Sequence, residues 1–210
     1  MSPLALSFEH RFQPATRPGL RPLLLLHGTG GDEADLLPLG ALVSPGAALL
    51  SPRGQVLEGG MPRFFRRLAA GVFDEADVRR RAGDLAGFVA AARDAYGIAA
   101  PIAVGFSNGA NIAAAVLMLH PEVLAGAALL RAMVPLGTPP AFRLDATPIL
   151  LLSGAMDPIV PAPNAARLAA MLGQAGADLQ HETLRTGHGL TQDDVERTVA
   201  WLRNRPQPAG

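Results

Sequence analysis

Short apolar runs, each bounded by turn residues, recur along this sequence of 210 residues and constrain its fold more than any other feature. Runs of this length without alternation of polar and apolar residues are typical of strands that are buried on both faces of a sheet. We therefore predict buried strands at residues 22–27, 47–51, 101–106, 124–130 and 148–153.

Stretches with helical periodicity lie between these runs. The clearest has one apolar stripe from Val78 to Tyr96 and ends at Gly97. Asp74 and Asp77 are both candidates for its N-cap. Further helices are predicted at residues 108–119, at residues 164–174 and, after a T-x-x-D capping-box pattern, from residue 191 to about residue 203.

This alternation of strands and helices predicts an α/β fold with a mostly parallel central sheet and helices on both faces. Polar and apolar residues alternate at residues 178–184, which predicts an edge strand, and at residues 1–11, which predicts a strand rather than a signal peptide. No repeat or linker divides the sequence, so we expect a single domain over residues 1–210.

Ligands of mostly parallel sheets bind beyond the carboxyl ends of the strands. We therefore expect the functional residues in the loops that follow the predicted strands.

Composition excludes several kinds of chemistry. The sequence has no cysteine, and arginine supplies all 18 of its Lys and Arg residues, so thiolate and lysine catalysis and Cys-ligated metals are absent. We expect no metal and no cofactor.

The charge balance and the apolar runs exclude two kinds of partner. The 18 acidic residues balance the basic ones, which argues against a nucleic-acid partner. No apolar run reaches the roughly 18 residues of a membrane span. A chain without cysteine fits a reducing compartment, so we expect a cytoplasmic protein.

A G-x-S-x-G pattern, from Gly105 to Gly109, stands where a predicted buried strand gives way to a predicted helix. This is the context of a nucleophile elbow, in which a sharp turn exposes the central serine and the flanking glycines let strand and helix pass close to it. Ser107 is therefore our candidate nucleophile. The alternative is an ordinary glycine-rich turn with an incidental serine.

A serine nucleophile needs a histidine as general base, and in enzymes with this elbow an acid and then the histidine follow the serine along the chain. His188 lies between two glycines in a loop at the carboxyl edge of the predicted sheet. His120, at the far end of the elbow helix, and His181, in the predicted edge strand, are less well placed. His188 is therefore the candidate base.

The candidate carboxylate is Asp157, which follows the predicted strand at 148–153 and precedes a proline. A plain turn is the alternative role for this residue. Other downstream acids lie before a strand, at the start of one, or at a helix N-terminus, where acids favour the helix dipole. These less suitable acids are Asp145, Asp178, Asp193 and Asp194.

Acyl transfer also requires two hydrogen-bond donors at the developing oxyanion. The backbone N–H of Asn108, directly after the serine, is the first candidate. The second is the amide of Thr29, in the small-residue loop that follows the strand at 22–27. That loop could instead bind phosphate, but Glu33 stands where a third glycine would be needed and no Gly-Lys-Ser/Thr follows.

These motifs together resemble the carboxylesterase/phospholipase branch of the α/β-hydrolases, which includes the acyl-protein thioesterases, and most of all the hydroquinone-inducible bacterial carboxylesterases. The similarity spans roughly residues 20–203. It implies a cofactor-free serine hydrolase of esters or thioesters, with Ser107, Asp157 and His188 as the triad, and a homodimer. The motifs that carry it are HGTGGDE at 27–33, SPRG at 51–54, RFFRR at 63–67, GFSNGANIA at 105–113, G-x-x-DP at 154–158 and Gly187-His188.

The long connection at residues 52–77 is rich in aromatic side chains, and we expect it to form a wall of the substrate pocket. Phe64, Phe65 and, from a later loop, Met133 are the candidate wall residues, although a separate apolar cluster under the loop is an equal alternative. Arg53 and Arg63 could meet an anionic group of the substrate, but structural ion pairs are favoured. Only 17 residues separate the strands on either side of residues 131–147, too few for a large lid domain.

The sequence therefore predicts a serine carboxylesterase that hydrolyses small, uncharged or weakly charged esters through an acyl-enzyme. A thioesterase, lysophospholipase or dienelactone-type hydrolase could use the same residues. A non-catalytic binding module is a further alternative, which the order of the triad residues and the two oxyanion loops argue against.

Overall fold

The computed structural model describes residues 6–205, and a seven-stranded sheet lies at its centre. Its strands are β1 (His10–Gln13), β2 (Leu23–Leu26), β3 (Leu49–Pro52), β8 (Ile102–Phe106), β9 (Gly126–Leu130), β10 (Pro148–Gly154) and β11 (Asp178–Leu184). Two small hairpins are formed by β4 (Val56–Glu58) with β5 (Met61–Arg63) and by β6 (Arg67–Ala69) with β7 (Val72–Phe73). The helices are α1 (Leu37–Val43), α2 (Glu75–Tyr96), α3 (Asn108–Leu119), α4 (Ala162–Gln174) and α5 (Gln192–Arg203).

The central sheet has the strand order β1-β3-β2-β8-β9-β10-β11, and only β1 runs antiparallel to its neighbour. Alternate side chains of β2 enter two different cores. Leu24 and Leu26 pack with α2, α3 and α4, whereas Leu23 and Leu25 pack with α1 and α5. The sheet is therefore covered by helices on both faces, as the sequence predicted.

Helix ends follow the predicted capping residues. The Asp74 side chain accepts a hydrogen bond from the Asp77 N–H at the start of α2, so Asp74 is the cap and Asp77 belongs to the first turn. The helix ends at Gly97 in the left-handed conformation, with φ of 63°. Helix α3 has the predicted bounds, and α5 begins with the predicted capping box of Thr191 and Asp194.

The N-terminal strand prediction was wrong in its position. Residues 1–5 of the predicted strand lie outside the described residues, and residues 6–9 form no strand. Strand β1 begins only at His10 because its partner β3 ends at Pro52, the residue opposite His10 in the ladder. Phe8 is buried against Phe88 instead, with 5.0 Å between ring centroids.

The two long connections differ in structure. Residues 53–74 carry both small hairpins, and these lie at the carboxyl edge of the sheet, where Arg63 of β5 donates a hydrogen bond to Thr29 in the loop after β2. Residues 131–147 form neither helix nor strand, in agreement with the absence of a large lid. Within residues 6–205, no helix is both long and apolar enough to cross a bilayer.

Candidate active site

The turn between β8 and α3 holds Ser107 in a conformation that few L-residues adopt, with φ of 52° and ψ of −113°. Both motif glycines are sterically required. A Cβ on Gly109 would lie 1.9 Å from the carbonyl oxygen of Leu26, and one on Gly105 would lie 2.6 Å from the carbonyl oxygen of Gly109. The strained turn thus lifts the serine above the end of the sheet.

Three side chains from three different loops meet at this turn. The Ser107 Oγ lies 2.9 Å from Nε2 of His188, and Nδ1 of the same ring lies 2.8 Å from Oδ2 of Asp157. Asp157 follows β10, and His188 lies between β11 and α5. The structure therefore brings the three predicted residues into one continuous chain of hydrogen bonds, in the geometry of a nucleophile, a base and an orienting carboxylate.

The Asp157 carboxylate has no solvent exposure. Burial by itself would raise the pKa of Asp157, but hydrogen bonds from His188 and from the backbone N–H groups of Ile159 and Val160 outweigh burial and hold it below its ordinary value. The carboxylate is therefore ionised at neutral pH. An ionised Asp157 fixes the tautomer of His188 in which Nδ1 carries the proton and Nε2 faces the serine.

Both predicted oxyanion residues line the same cavity as Ser107, and each accepts a hydrogen bond from the end of β5 or from the residue directly after it. Arg63 donates from Nη1 to the Thr29 hydroxyl at 2.7 Å. The Phe64 N–H donates to Oδ1 of Asn108, also at 2.7 Å. The connection that we expected to form the pocket wall therefore holds the loops that present the two amides.

His27, for which the sequence suggested no role, supports the loop that carries Thr29. Its buried ring donates from Nδ1 to the Gly28 carbonyl at 2.7 Å and accepts the Gly54 N–H on Nε2 at 2.9 Å. Burial lowers the pKa of His27 below its ordinary value, so the ring is neutral and can make both bonds. A histidine directly after a buried strand, before a glycine-rich loop, was the available signal.

Two of the three predicted wall residues do not line the cavity. Phe64 and Phe65 are 2% and 0% exposed and belong to the core. Phe64 packs against the ring of His27, and Phe65 packs edge-to-face on Phe73. The placement of Phe64 and Phe65 in the wall was therefore wrong, because the core buries more of both apolar rings than a cavity wall would.

Met133 does line the cavity, and Phe73 lies on the same wall. The Met133 N–H donates to Oδ1 of Asn111, one turn into helix α3, at 2.7 Å. Met133 and Phe73 also pack together with Val160, next to the Asp157 loop. These side chains form the apolar part of a cavity of about 250 Å³.

The histidine loop rests on a buried ion pair that sequence reasoning missed. Arg131 is fully buried, has φ of 58° and makes a bidentate pair with Asp194, with both N–O distances at 2.8 Å. The same guanidinium donates to the carbonyl oxygens of Gly187 and Gly189. It therefore holds both residues that flank His188.

A charged residue directly after the apolar strand β9 was the sequence signal for this pair. Asp194, which the sequence suggested as a capping acid, is that and also the partner of Arg131. Gly154 completes the support, since a Cβ there would lie 2.4 Å from the Gly187 carbonyl oxygen.

The remaining histidine candidates lie outside the site. His120 follows α3, where its N–H donates to the Val116 carbonyl. His181 lies on the edge strand β11, and its ring nitrogen contacts the Ser153 hydroxyl at 3.0 Å. Among residues 6–205 no group of three or more His, Asp or Glu side chains could hold a metal ion.

Known proteins resemble this chain over nearly its whole length. A model of the phospholipase/carboxylesterase family matches residues 13–204. MhqD of Bacillus subtilis (strain 168), a hydrolase by name, is 41% identical over 197 residues, which are 93% of this chain and 98% of that protein.

Solved structures of carboxylesterases also resemble this chain. The crystal structure of a Bacillus cereus carboxylesterase matches with a TM-score of 0.92 and 40% identity over 95% of each chain. A carboxylesterase from Mesorhizobium loti matches with a TM-score of 0.91 and 30% identity over 96% of this chain and 97% of that one. These matches confirm the expected α/β-hydrolase fold.

Proposed function

Because the chain belongs to the phospholipase/carboxylesterase family and is a hydrolase, we propose that it hydrolyses small carboxylic esters through an acyl-enzyme on Ser107. One observation carries the proposal. The side chains of Ser107, His188 and Asp157 form a continuous hydrogen-bonded chain at the wall of a cavity.

In the proposed mechanism, Nε2 of His188 takes the proton of the Ser107 hydroxyl as its oxygen attacks the ester carbonyl. The ionised Asp157 stabilises the imidazolium that forms. His188 then gives the proton to the departing alcohol, and the acyl group remains on the serine. Water, activated by the same ring, releases the acid and restores the hydroxyl.

The backbone amides of Thr29 and Asn108 are the proposed donors to the oxyanion. A lost donor of this kind costs about 3–4 kcal/mol of transition-state stabilisation. Their support by Arg63 and by the Phe64 N–H keeps them in place before the substrate arrives, so no reorganisation is needed during the reaction.

The size of the cavity supports a small substrate. Its volume of about 250 Å³ lies below the range typical of sites for drug-sized ligands, and Phe73 and Met133 are its proposed apolar wall. Substituting Met133 by Ala should therefore shift the preference toward longer acyl chains in a series of p-nitrophenyl esters.

A fluorophosphonate probe tests the assignment directly. We expect one covalent adduct, located on Ser107 by mass spectrometry, and none in Ser107→Ala. Absence of an adduct on folded protein, or the same labelling of Ser107→Ala, would overturn the serine-hydrolase mechanism. His181→Gln serves as the matched histidine control for His188→Gln, since only the latter should abolish labelling.

We also propose a cytoplasmic homodimer. The lack of cysteine supports a reducing compartment, and the dimer is implied by the resemblance to the bacterial carboxylesterases. Sedimentation equilibrium gives the mass of the assembly, and a monomer at micromolar concentrations would contradict the dimer.

A further inference from the structure

The wall of the cavity carries more positive than negative charge. Arg63 and Arg67 both line it, and they share a single carboxylate, that of Glu58. Among the described residues that line the cavity, none is acidic. One guanidinium charge at the wall is therefore left without a matching carboxylate.

The other charged groups nearby do not change this balance. Arg131 also reaches the cavity, but the carboxylate of Asp194 neutralises it. The carboxylate of Asp157 is fully buried behind His188 and is occupied by that ring and by backbone N–H groups. Arg53, the other arginine considered from the sequence, pairs with Glu33 and Glu9 outside the cavity lining.

Arg67 is the cation that is free to bind a ligand. Its side chain is 34% exposed, and only its Nε is hydrogen-bonded among the residues that the structure describes, to Oε1 of Glu58 at 2.8 Å. Its two terminal nitrogens thus remain available as donors. Arg63, by contrast, is 3% exposed and uses Nε and Nη1 for the Phe65 carbonyl and the Thr29 hydroxyl.

We propose that the cavity selects esters that carry a carboxylate, and that Arg67 binds this carboxylate while Ser107 attacks the ester carbonyl. The inference rests on the proposed esterase function and names its substrate class. A guanidinium offers two parallel donors that match a carboxylate, and a charge in a partly enclosed cavity is screened less than one on an open surface. A neutral ester would leave this charge uncompensated, so the proposed substrate class departs from the uncharged or weakly charged esters expected from the sequence.

Matched ester pairs that differ in one charge test the proposal. We would measure kcat/KM by pH-stat titration for 4-acetoxybenzoate against its methyl ester, and for monomethyl adipate against dimethyl adipate. The first pair places the carboxylate on the alcohol part and the second on the acyl part. We expect a higher kcat/KM for the charged member of at least one pair, with a ratio that falls as salt is added.

Three variants test the direction in which the charged-to-neutral ratio of kcat/KM changes. Arg67→Gln should lower the charged-to-neutral ratio by about fivefold, the upper range for a partly exposed ion pair. Glu58→Gln removes the competing carboxylate and should raise the ratio. Arg66→Gln is the matched control, because Arg66 is exposed, pairs with Asp74 and does not line the cavity, so its ratio should equal that of the wild type.

The outcomes separate this inference from the proposed function. An unchanged ratio in both Arg67→Gln and Glu58→Gln, with Ser107 still labelled by the fluorophosphonate, overturns the carboxylate preference and leaves the esterase in place. A preference for the neutral member of both pairs does the same. A wild-type protein that neither labels nor hydrolyses any of the four esters overturns both.

Discussion

Single residues decide whether the strained turn at Ser107 can form at all. The N-terminal turn of α3 passes so close to the end of β2 that Gly109 has no room for a side chain. Gly87, in the exposed middle of α2, has no atom within 4 Å of its would-be Cβ. The two positions therefore separate a glycine that is sterically required from one that only weakens its helix.

Gly109→Ala should destabilise the protein by about 3 kcal/mol or more, because the Leu26 carbonyl belongs to the central sheet and cannot give way. Gly87→Ala should stabilise it by roughly 0.5–1 kcal/mol through helix propensity alone. Urea unfolding followed by circular dichroism measures both. Equal effects of the two substitutions would contradict the close approach seen at Gly109.

The buried ring of His27 should make stability depend on pH. Its folded-state pKa lies below the ordinary value of 6.5 because burial disfavours the charged ring. Between the folded-state pKa and pH 6.5, the unfolded chain binds a proton that the native ring does not. The free energy of unfolding therefore rises with pH through this range. The contribution is complete above the unfolded pKa and is lost as the pH falls below it.

We therefore expect the free energy of unfolding of the wild type to fall between about pH 8 and pH 5.5, and to fall less in His27→Gln. His181, whose pKa is also lowered by burial, contributes in the same direction. The double variant with His181→Gln should show the smallest change, because the two sites share no contact. A decrease in His27→Gln as large as in the wild type would rule out this role of His27.

At the scale of elements, the end of β9 and the start of α5 are joined by the pair of Arg131 and Asp194. Removing one partner of a buried pair leaves the other charge without compensation. The pair also supports the histidine loop through the carbonyls of Gly187 and Gly189. Its loss should therefore have two effects, one on stability and one on the geometry of His188.

Arg131→Met should destabilise the protein by about 3–5 kcal/mol, and adding Asp194→Asn should recover much of that loss, since no buried charge remains. Both variants should react slowly with a fluorophosphonate at a temperature well below either Tm, because neither holds the loop of His188. If the double variant labelled as fast as the wild type, the pair would be structural only.

At the scale of the whole molecule, the two helical layers are held by one sheet. Trp201, the only tryptophan of the sequence, is 2% exposed on α5 and reports on the layer of α1 and α5. Helix α3, which begins directly after Ser107, lies in the other layer with α2 and α4. The single domain that we predict requires that both layers unfold together.

We expect one urea transition with the same midpoint by two probes, the fluorescence of Trp201 and the labelling of Ser107 by a fluorophosphonate. The alternate side chains of β2 support this expectation, because they enter both cores and the loss of either would expose the strand. Separate midpoints would mean that the site and the α1–α5 layer belong to different cooperative units.

Much of the framework was determined by the sequence alone. Uninterrupted apolar runs specified the buried strands, and Asp74, Gly97 and the capping box of α5 specified helix ends, because these features act on neighbouring residues. The serine turn and the grouping of Ser107, Asp157 and His188 could also be predicted from the sequence, because the loops after parallel strands lie at one edge of the sheet.

Tertiary structure alone decided which distant residues meet. The burial of Phe64 and Phe65, and the contacts of Arg63 with Thr29 and of Phe64 with Asn108, leave no local pattern. The charged residue after β9 marked Arg131 itself, but nothing near it in the sequence marked Asp194 as its partner. These contacts arise because the carboxyl ends of β2, β8, β9 and β10 lie side by side in the sheet. The loops after these strands, the end of β5 and the start of α5 meet at that edge, although they are far apart in the sequence. Local periodicity encodes backbone geometry and burial, whereas such partners depend on the packing of the whole chain.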